Sequence, residues 1–307
     1  MENFMKFQVE EKEVSLRLDK YLFDKLSDFS FSRSFIQKLI KDKLVFVEGK
    51  EEKSNYKLKF GQSVEVTVPE PEEVEIVPED IPLDILYEDD DLLIVNKPKN
   101  MVVHPSAGHC SGTLVNAVMY HCRDSLSGIN GEIRPGIVHR IDKDTTGSLI
   151  ICKNDETHIA IAEQIKVHSV KRIYRGIVSG HLREMSGTVE GNIGRHPTDR
   201  KKMAIVSGGR YAVTHYRVLE QYLNAAYMEF ELETGRTHQI RVHMASIGHP
   251  LLGDTVYGNQ KNPYHLQGQA LHAMTIGFIH PGTGEYMEVS APLPKYFQEL
   301  IHRLNRN

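Results

Sequence analysis

The feature that most constrains this chain is an acidic, proline-bearing stretch in its first third. Residues 70–91, EPEEVEIVPEDIPLDILYEDDD, hold 11 acids and no lysine or arginine, and four of the 13 prolines (Pro69, Pro71, Pro78 and Pro82) fall on it or at its edge. Like charges repel, and proline removes backbone donors that helices and central strands need, so the stretch predicts an extended connector. It divides the 307 residues into a short amino-terminal part and a longer carboxy-terminal one, and two domains is also what the length implies. The bounds read as 13–69 for the first domain, 70–90 for the connector and 91–305 for the second.

The formal net charge is −4, yet outside 70–91 the chain carries seven more basic than acidic side chains. That balance is compatible with a polyanionic partner without requiring one. No apolar run approaches the ~18 residues of a membrane-spanning helix. The start, MENFMKFQVEEKE, has neither the basic leader nor the apolar core of a secretory signal, so a cytoplasmic protein with no membrane partner is expected. Cys110, Cys122 and Cys152 are odd in number and form no CxxC pair, which indicates neither a disulfide framework nor a zinc knuckle.

In the first domain, Leu18, Leu22 and Leu26 recur at helical spacing, as do Ile36, Leu39 and Ile40, with Ser32 placed to cap the second helix. Leu44-Val-Phe-Val-Glu-Gly-Lys reads as a strand ending in a glycine turn, and the segment after Gly61 as another strand. Arg17, Lys20, Arg33, Lys38, Lys41 and Lys43 fall on the polar face. Such a face can follow a phosphate backbone, although charge alone equally describes a solvated surface.

The second domain opens with an apolar run from Leu92 into Asn96-Lys-Pro, a buried strand, and Ser148-Leu-Ile-Ile-Cys reads as another. Between them Gly136-Ile-Val-His-Arg-Ile-Asp-Lys-Asp-Thr-Thr-Gly is polar and bounded by glycines, as expected of a functional loop on a rigid scaffold. Its carboxylates are Asp142 and Asp144. Turn capping is the simplest role for either, and a hard-cation site would gather more carboxylates. Further on, Glu233-Thr-Gly-Arg-Thr-His-Gln-Ile-Arg-Val-His-Met is read as helical to Gly248. His238, His243 and His249 lack the i, i+4 spacing of a zincin helix, so no metal is expected. Esterase elbow, phosphate-loop and dinucleotide fingerprints are all missing. What remains is a carboxylate loop and an arginine-rich segment. An arginine paired with a buried carboxylate would hold it ionised and oriented for use as a nucleophile or base.

Two resemblances join these readings. RLDKYL, SRSFIQKLI and the VFVEGK turn are similar to the small RNA-binding domain named after the fourth small-subunit ribosomal protein, with Glu48 where many relatives have asparagine. Residues 91–295 resemble the RluA/RluD-like pseudouridine synthases of large-subunit ribosomal RNA: HRIDKDTTGSLI, Lys171-Arg-Ile-Tyr and TGRTHQIRVH stand in family order, with Asn96-Lys-Pro, His104-Pro105 and Gly248-His-Pro-Leu-Leu-Gly-Asp around them. The resemblance implies an α+β catalytic domain, a mostly antiparallel mixed sheet flanked by helices, preceded by a small α+β RNA-binding domain. It implies isomerisation of uridine to pseudouridine in ribosomal RNA, without a cofactor, and nothing in the sequence requires more than a monomer. Asp142 would be the essential aspartate, Arg241 its ion-pair partner, and Tyr174 a stacking surface or base. Arg140 would assist base flipping, and Arg17, Lys20, Arg33, Lys38 and Lys41 would contact RNA. A noncatalytic ribosome-assembly factor is the alternative. A glycoside hydrolase would need a second carboxylate better placed than Asp144.

Overall fold

The computed structural model describes residues 3–26, 33–68, 76–105, 111–123, 125–127, 135–199, 202–258 and 262–306. The chain divides into two compact units, Met1–Glu73 and Val74–Asn307.

In the first unit the elements are β1 (Asn3–Gln8), α1 (Leu18–Lys25), α2 (Arg33–Lys41), β2 (Val45–Val47), β3 (Lys50–Glu51) and β4 (Ser63–Val68). The strands form an antiparallel sheet in the order β1-β4-β2-β3. Alternation along β4 buries Val64, Val66 and Val68 against Leu18, Leu22, Ile36 and Leu39 of the two helices. Both helices stand where the leucine and isoleucine spacing predicts them. The expected cap Ser32 lies outside the described residues. Sequence pattern did not signal β1, which is a strand because it pairs residue for residue with β4, from Asn3 opposite Val68 to Gln8 opposite Ser63. Glu48 and Gly49 both take left-handed backbone, at φ 51° and 72°, which fits the tight β2–β3 hairpin. Glu48 bears this without being asparagine, and its carboxylate accepts the Ser63 N–H across the turn.

The second unit comprises β5 (Ile85–Glu88), β6 (Leu92–Lys97), α3 (Leu114–Cys122), β7 (Thr146–Cys152), α4 (Asp155–Lys166), β8 (Lys171–Ser179), β9 (Ser186–Arg195), β10 (Met203–Ile205), β11 (Arg210–Gln221), β12 (Ala225–Leu232), α5 (Gln239–Ser246), β13 (Leu271–Ile279), β14 (Tyr286–Ser290) and α6 (Lys295–Leu304). Nine strands run β10-β9-β11-β12-β8-β13-β7-β6-β5, with β14 paired to β13. Every pairing is antiparallel except the short parallel contact of β13 with β7. The result is the expected mixed, mostly antiparallel sheet with helices on it.

The unbroken apolar runs of β6 and β7 follow from cover on both faces. Leu93, Val95, Leu149 and Ile151 meet Leu114, Val115 and Val118 of α3. Leu92, Ile94 and Ile150 meet Ile161 of α4 and Phe278 of β13. Ile240 and Met244 of α5 pack with Met228, Phe230 and Leu271, and Phe297 and Leu300 of α6 with Ile177 and Ala225. Tyr174 of β8 packs against both the α3 cluster and the α5 cluster, so the two meet at its ring.

Two sequence expectations change. The acidic stretch is not a free connector from Ile76 onward. Ile76 is buried, Asn116 Nδ2 donates to the Val77 carbonyl at 2.9 Å, Glu79 takes the Gly112 N–H at 3.0 Å, and residues 85–88 form β5. Ile76 and parts of the backbone dock while Asp80, Asp84 and Asp90 stay exposed. The arginine-rich segment is also not helical from Glu233, since α5 begins only at Gln239. Glu233 to His238 is a turn locked by buried Gln239, whose Oε1 accepts from the Thr234 hydroxyl (2.7 Å) and Arg236 N–H (2.9 Å) while its Nε2 donates to the Val213 carbonyl (2.9 Å).

Candidate active site

The loop between Gly136 and β7 is fixed before it reaches its carboxylates. Gly136 adopts φ 71° so close to β7 that a Cβ would stand 2.6 Å from the Cys152 carbonyl oxygen, so only glycine fits. Next, His139 Nε2 accepts the Ile150 N–H at 3.0 Å. Burial, with Arg172 nearby, takes this imidazole down to about 3, so it serves as a neutral acceptor rather than a proton carrier. Ile141 is buried, and the Thr145 N–H closes a turn on the Asp142 carbonyl at 3.0 Å.

A buried lysine holds the loop from beneath. Lys97, at the end of β6, has no exposed surface, and its Nζ donates to the carbonyls of Pro98 (2.8 Å), Met101 (2.9 Å) and Lys143 (3.0 Å). Burial brings its pKa down to about 7, against the opposing pull of Asp144 and Asp142. After the loop, Gly147 runs at φ 113° where β7 meets β13, and a Cβ there would collide with the Ala273 carbonyl.

Asp142 therefore projects from a rigid loop, and α5 brings Arg241 to it. Arg241 Nη1 donates to Asp142 Oδ2 at 2.8 Å, while Nε and Nη2 grip Asp254 at 2.7 and 3.0 Å. Burial opposes the Arg241 charge, but hydrogen bonds and charge from Asp254 and Asp142 prevail and raise its pKa. Asp254 is fixed in turn by the Val256 and Tyr257 N–H groups at 2.9 and 3.1 Å. Despite burial, the Arg241 partnership holds its carboxyl below the usual range. One oxygen of Asp142 is thus tethered, and Oδ1 faces His238, whose Nε2 is 3.9 Å away.

Around this carboxylate opens a cleft of about 690 Å³ lined by Tyr174, His139, Arg140, Arg172, Arg236 and Leu271 among others. Burial, with help from the Asp142 charge and against Arg172, raises the Tyr174 pKa, so at neutral pH its phenol is protonated. That favours a flat wall for a base over a ready proton acceptor. Arg140 is exposed on the rim and also borders a smaller cleft of about 460 Å³ that shares Asp142 and His238. Asp144 lines only that smaller cleft, whereas Asp142 opens into both.

The three histidines weighed for zinc do not converge. His243 Nδ1 pairs with the Thr214 hydroxyl at 2.9 Å, and His249 Nδ1 with the Ser179 carbonyl at 3.0 Å. Sequence reasoning assigned no role to Asp254 or Lys97. Their signals were a carboxylate within Gly248-His-Pro-Leu-Leu-Gly-Asp and a lysine closing an otherwise apolar strand.

In the first unit, Lys20, Lys38 and Lys41 are exposed, and Arg17 and Lys41 line one concavity with Gln37 and Lys53. Arg17 is already engaged, since Nε and Nη2 each reach the fully buried Asp19 carboxylate at 3.0 Å, where Gln37 Nε2 also donates. The Arg33 side chain lies outside the described residues.

Comparison with known proteins agrees with this layout. Residues 91–246 match the RNA pseudouridylate synthase family, and residues 16–64 match the S4 domain. An uncharacterized RNA pseudouridine synthase of Bacillus subtilis is 50% identical over 297 residues, 97% of each chain. The ribosomal large subunit pseudouridine synthase D of Zymomonas mobilis is 50% identical over 264 residues, 82% of this chain and 83% of its own. The solved structure of human RNA pseudouridylate synthase domain containing 1 superposes with a TM-score of 0.57 at 25% identity, covering 78% of this chain and 98% of that one. With the family matched across the loop, the strand of Tyr174 and the helix of Arg241, this chain belongs to the RNA pseudouridine synthases.

Proposed function

We propose that Asp142 is the carboxylate through which this chain isomerises uridine to pseudouridine, and that its substrate is large-subunit ribosomal RNA. The carrying observation is the asymmetry of Asp142: Arg241 holds one oxygen at 2.8 Å, and the other opens into a cleft walled by a tyrosine ring. The reaction breaks the bond from ribose carbon 1′ to uracil nitrogen 1 and makes one from carbon 1′ to uracil carbon 5. Nitrogen 1 gains a proton and carbon 5 loses one, so the atoms balance. As the base leaves, the sugar acquires oxocarbenium character, and a fixed carboxylate beside it can stabilise that charge, attack carbon 1′ or remove the carbon 2′ proton. Tyr174 supplies the surface on which the detached uracil turns.

A stacked uridine must leave its helix to reach Asp142, at a cost of a few kcal/mol. Arg140, exposed on the rim, is placed to fill the vacated stack, while Arg172 and Arg236 supply positive charge along the cleft for the flanking phosphates. Lys20, Lys38 and Lys41 of the first unit extend the phosphate contacts, while Arg17 helps to shape that surface through Asp19. The relatives named for the large ribosomal subunit support the choice of RNA.

The test is tritium release from ribosomal RNA labelled at uracil carbon 5 and prepared without prior modification. Release by the natural protein that disappears in Asp142→Asn, with RNA affinity retained, is the expected result. Binding without release from either protein would replace this reading with that of an assembly factor. Deleting residues 1–70 should weaken binding of structured RNA more than the single-turnover rate at saturating RNA, and unchanged affinity would remove the first unit from recognition.

A further inference from the structure

His238 stands at the start of α5 with its ring beside the Asp142 carboxylate. It precedes α5 at φ 56°, ψ 22°, in the left-handed region that histidine, like asparagine and aspartate, enters more readily than most side chains. That conformation places the ring beside Asp142, and a second residue sets its angle. Tyr257 lies edge-on to it, with centroids 5.6 Å apart, and the Tyr257 hydroxyl is 2.8 Å from Nδ1. The Tyr257 oxygen accepts the Met203 N–H at 2.8 Å, which leaves its own proton available to Nδ1. With Nδ1 accepting from that hydroxyl, the neutral ring carries its proton on Nε2, the nitrogen 3.9 Å from Asp142 Oδ1.

We infer that His238 is a positioning residue and pH switch of this site: neutral, it leaves Oδ1 of Asp142 open to the ribose, and charged, it pairs with that oxygen and halts the reaction. The inference rests on the reading of Asp142 above. At 3.9 Å the neutral ring is too far for a direct hydrogen bond, so Oδ1 stays available. Protonation adds a full charge at the same distance in a partly buried cleft, where attraction between opposite charges exceeds that in water. It also forces the Tyr257 hydroxyl to turn, since Nδ1 becomes a donor, and this frees the ring to close on the carboxylate. The groups facing the ring are Asp142, Asp254, Arg241, Arg140 and Tyr257. Burial, aided by Arg241 and Arg140 and opposed by Asp142 and Asp254, keeps the imidazole below its ordinary value, so the neutral form prevails at neutral pH.

Two readouts on the full chain test this. In ¹⁵N-histidine spectra, the His238 signals, assigned by their loss in His238→Gln, should show the proton on Nε2 and a midpoint below 6.5. Asp142→Asn, which removes the neighbouring negative charge, should move that midpoint to lower pH. In tritium release under single-turnover conditions, the natural protein should lose rate on the acid side. His238→Gln should keep its rate about threefold further into acid, relative to its own rate at pH 7.5, because glutamine does not titrate. His238→Asn, which tolerates left-handed backbone, should behave alike if glutamine disturbs folding. An acid limb that in both variants coincides with that of the natural protein, or a His238 midpoint that ignores Asp142→Asn, overturns the inference. If the natural protein releases no tritium, the proposed function falls and the titration alone decides the coupling.

Discussion

Replacing Lys97 with methionine isolates the energetic consequence of burying an ammonium beneath the Asp142 loop. The group titrates near 7 in the folded protein and at its ordinary 10.5 when the chain is unfolded. Between those values the unfolded chain binds more protons than the folded one. The penalty for burying the charge is therefore complete below pH 7 and is relieved as pH rises toward 10.5. From pH 6 to pH 9 the two values correspond to about 2.5 kcal/mol of stability gained by the natural protein. Methionine binds no proton and fills a similar volume, so the gain should be absent from Lys97→Met. The variant should also be the less stable protein at pH 9, because the neutral amine still donates to two of the carbonyls of Pro98, Met101 and Lys143 and methionine to none, at about 1–3 kcal/mol for each donor lost. Urea unfolding followed by circular dichroism at pH 6, 7.5 and 9 measures both effects, and other titrating groups cancel in the difference between the proteins. Parallel pH dependence, with a difference that changes by less than about 0.5 kcal/mol across the range, would refute the argument that Lys97 loses its charge on burial.

Two further substitutions address the supports of Asp142. Asp254→Asn removes the charge that takes two of the three hydrogen bonds of Arg241, and should cost about 3 kcal/mol in thermal unfolding as a buried pair losing one partner. It should also lower the single-turnover rate about 100-fold with RNA affinity unchanged, and an undiminished rate would show that Arg241 needs no second carboxylate. Gly147→Ala must strain a backbone at φ 113° and push against the Ala273 carbonyl, so a loss of about 3 kcal/mol is expected, and an unaltered unfolding midpoint would contradict the close β7–β13 approach.

What sequence made legible was what repeats or alternates within a short window. The helical spacing of Leu18, Leu22 and Leu26, the apolar runs of β6 and β7, and the glycine-bounded loop around Asp142 are local signals, and each element stands where it was expected. What stayed hidden depended on partners distant along the chain. β1 is a strand because β4, some sixty residues on, supplies its hydrogen bonds. Asp254 matters because α5 turns Arg241 toward both it and a loop 99 residues earlier in the chain. The acidic stretch misled because charge describes its surface, while its packing is decided by Ile76 and by a backbone that docks on Asn116. The helical reading of residues 233–238 failed for a similar reason: Gln239 draws that backbone into a turn.

The arrangement of charge at this site separates two tasks that would conflict if one set of groups performed both. RNA must be drawn in by positive charge, yet a carboxylate must keep an oxygen uncovered among those cations. Arg140 is exposed on the rim, where salt screens it and where phosphates can compete for it. Arg241 is buried and fixed along one edge by Asp254, so it can neither leave Asp142 for a phosphate nor fold over Oδ1. A lysine at position 241 would retain the charge but not this division, since a single ammonium cannot grip both oxygens of Asp254 through a planar fork while presenting a further donor to Asp142. In the role proposed for Asp142, Asp254 acts on the chemistry at one remove: by saturating one side of the guanidinium, it limits Arg241 to a single bond with Asp142 and leaves Oδ1 uncovered.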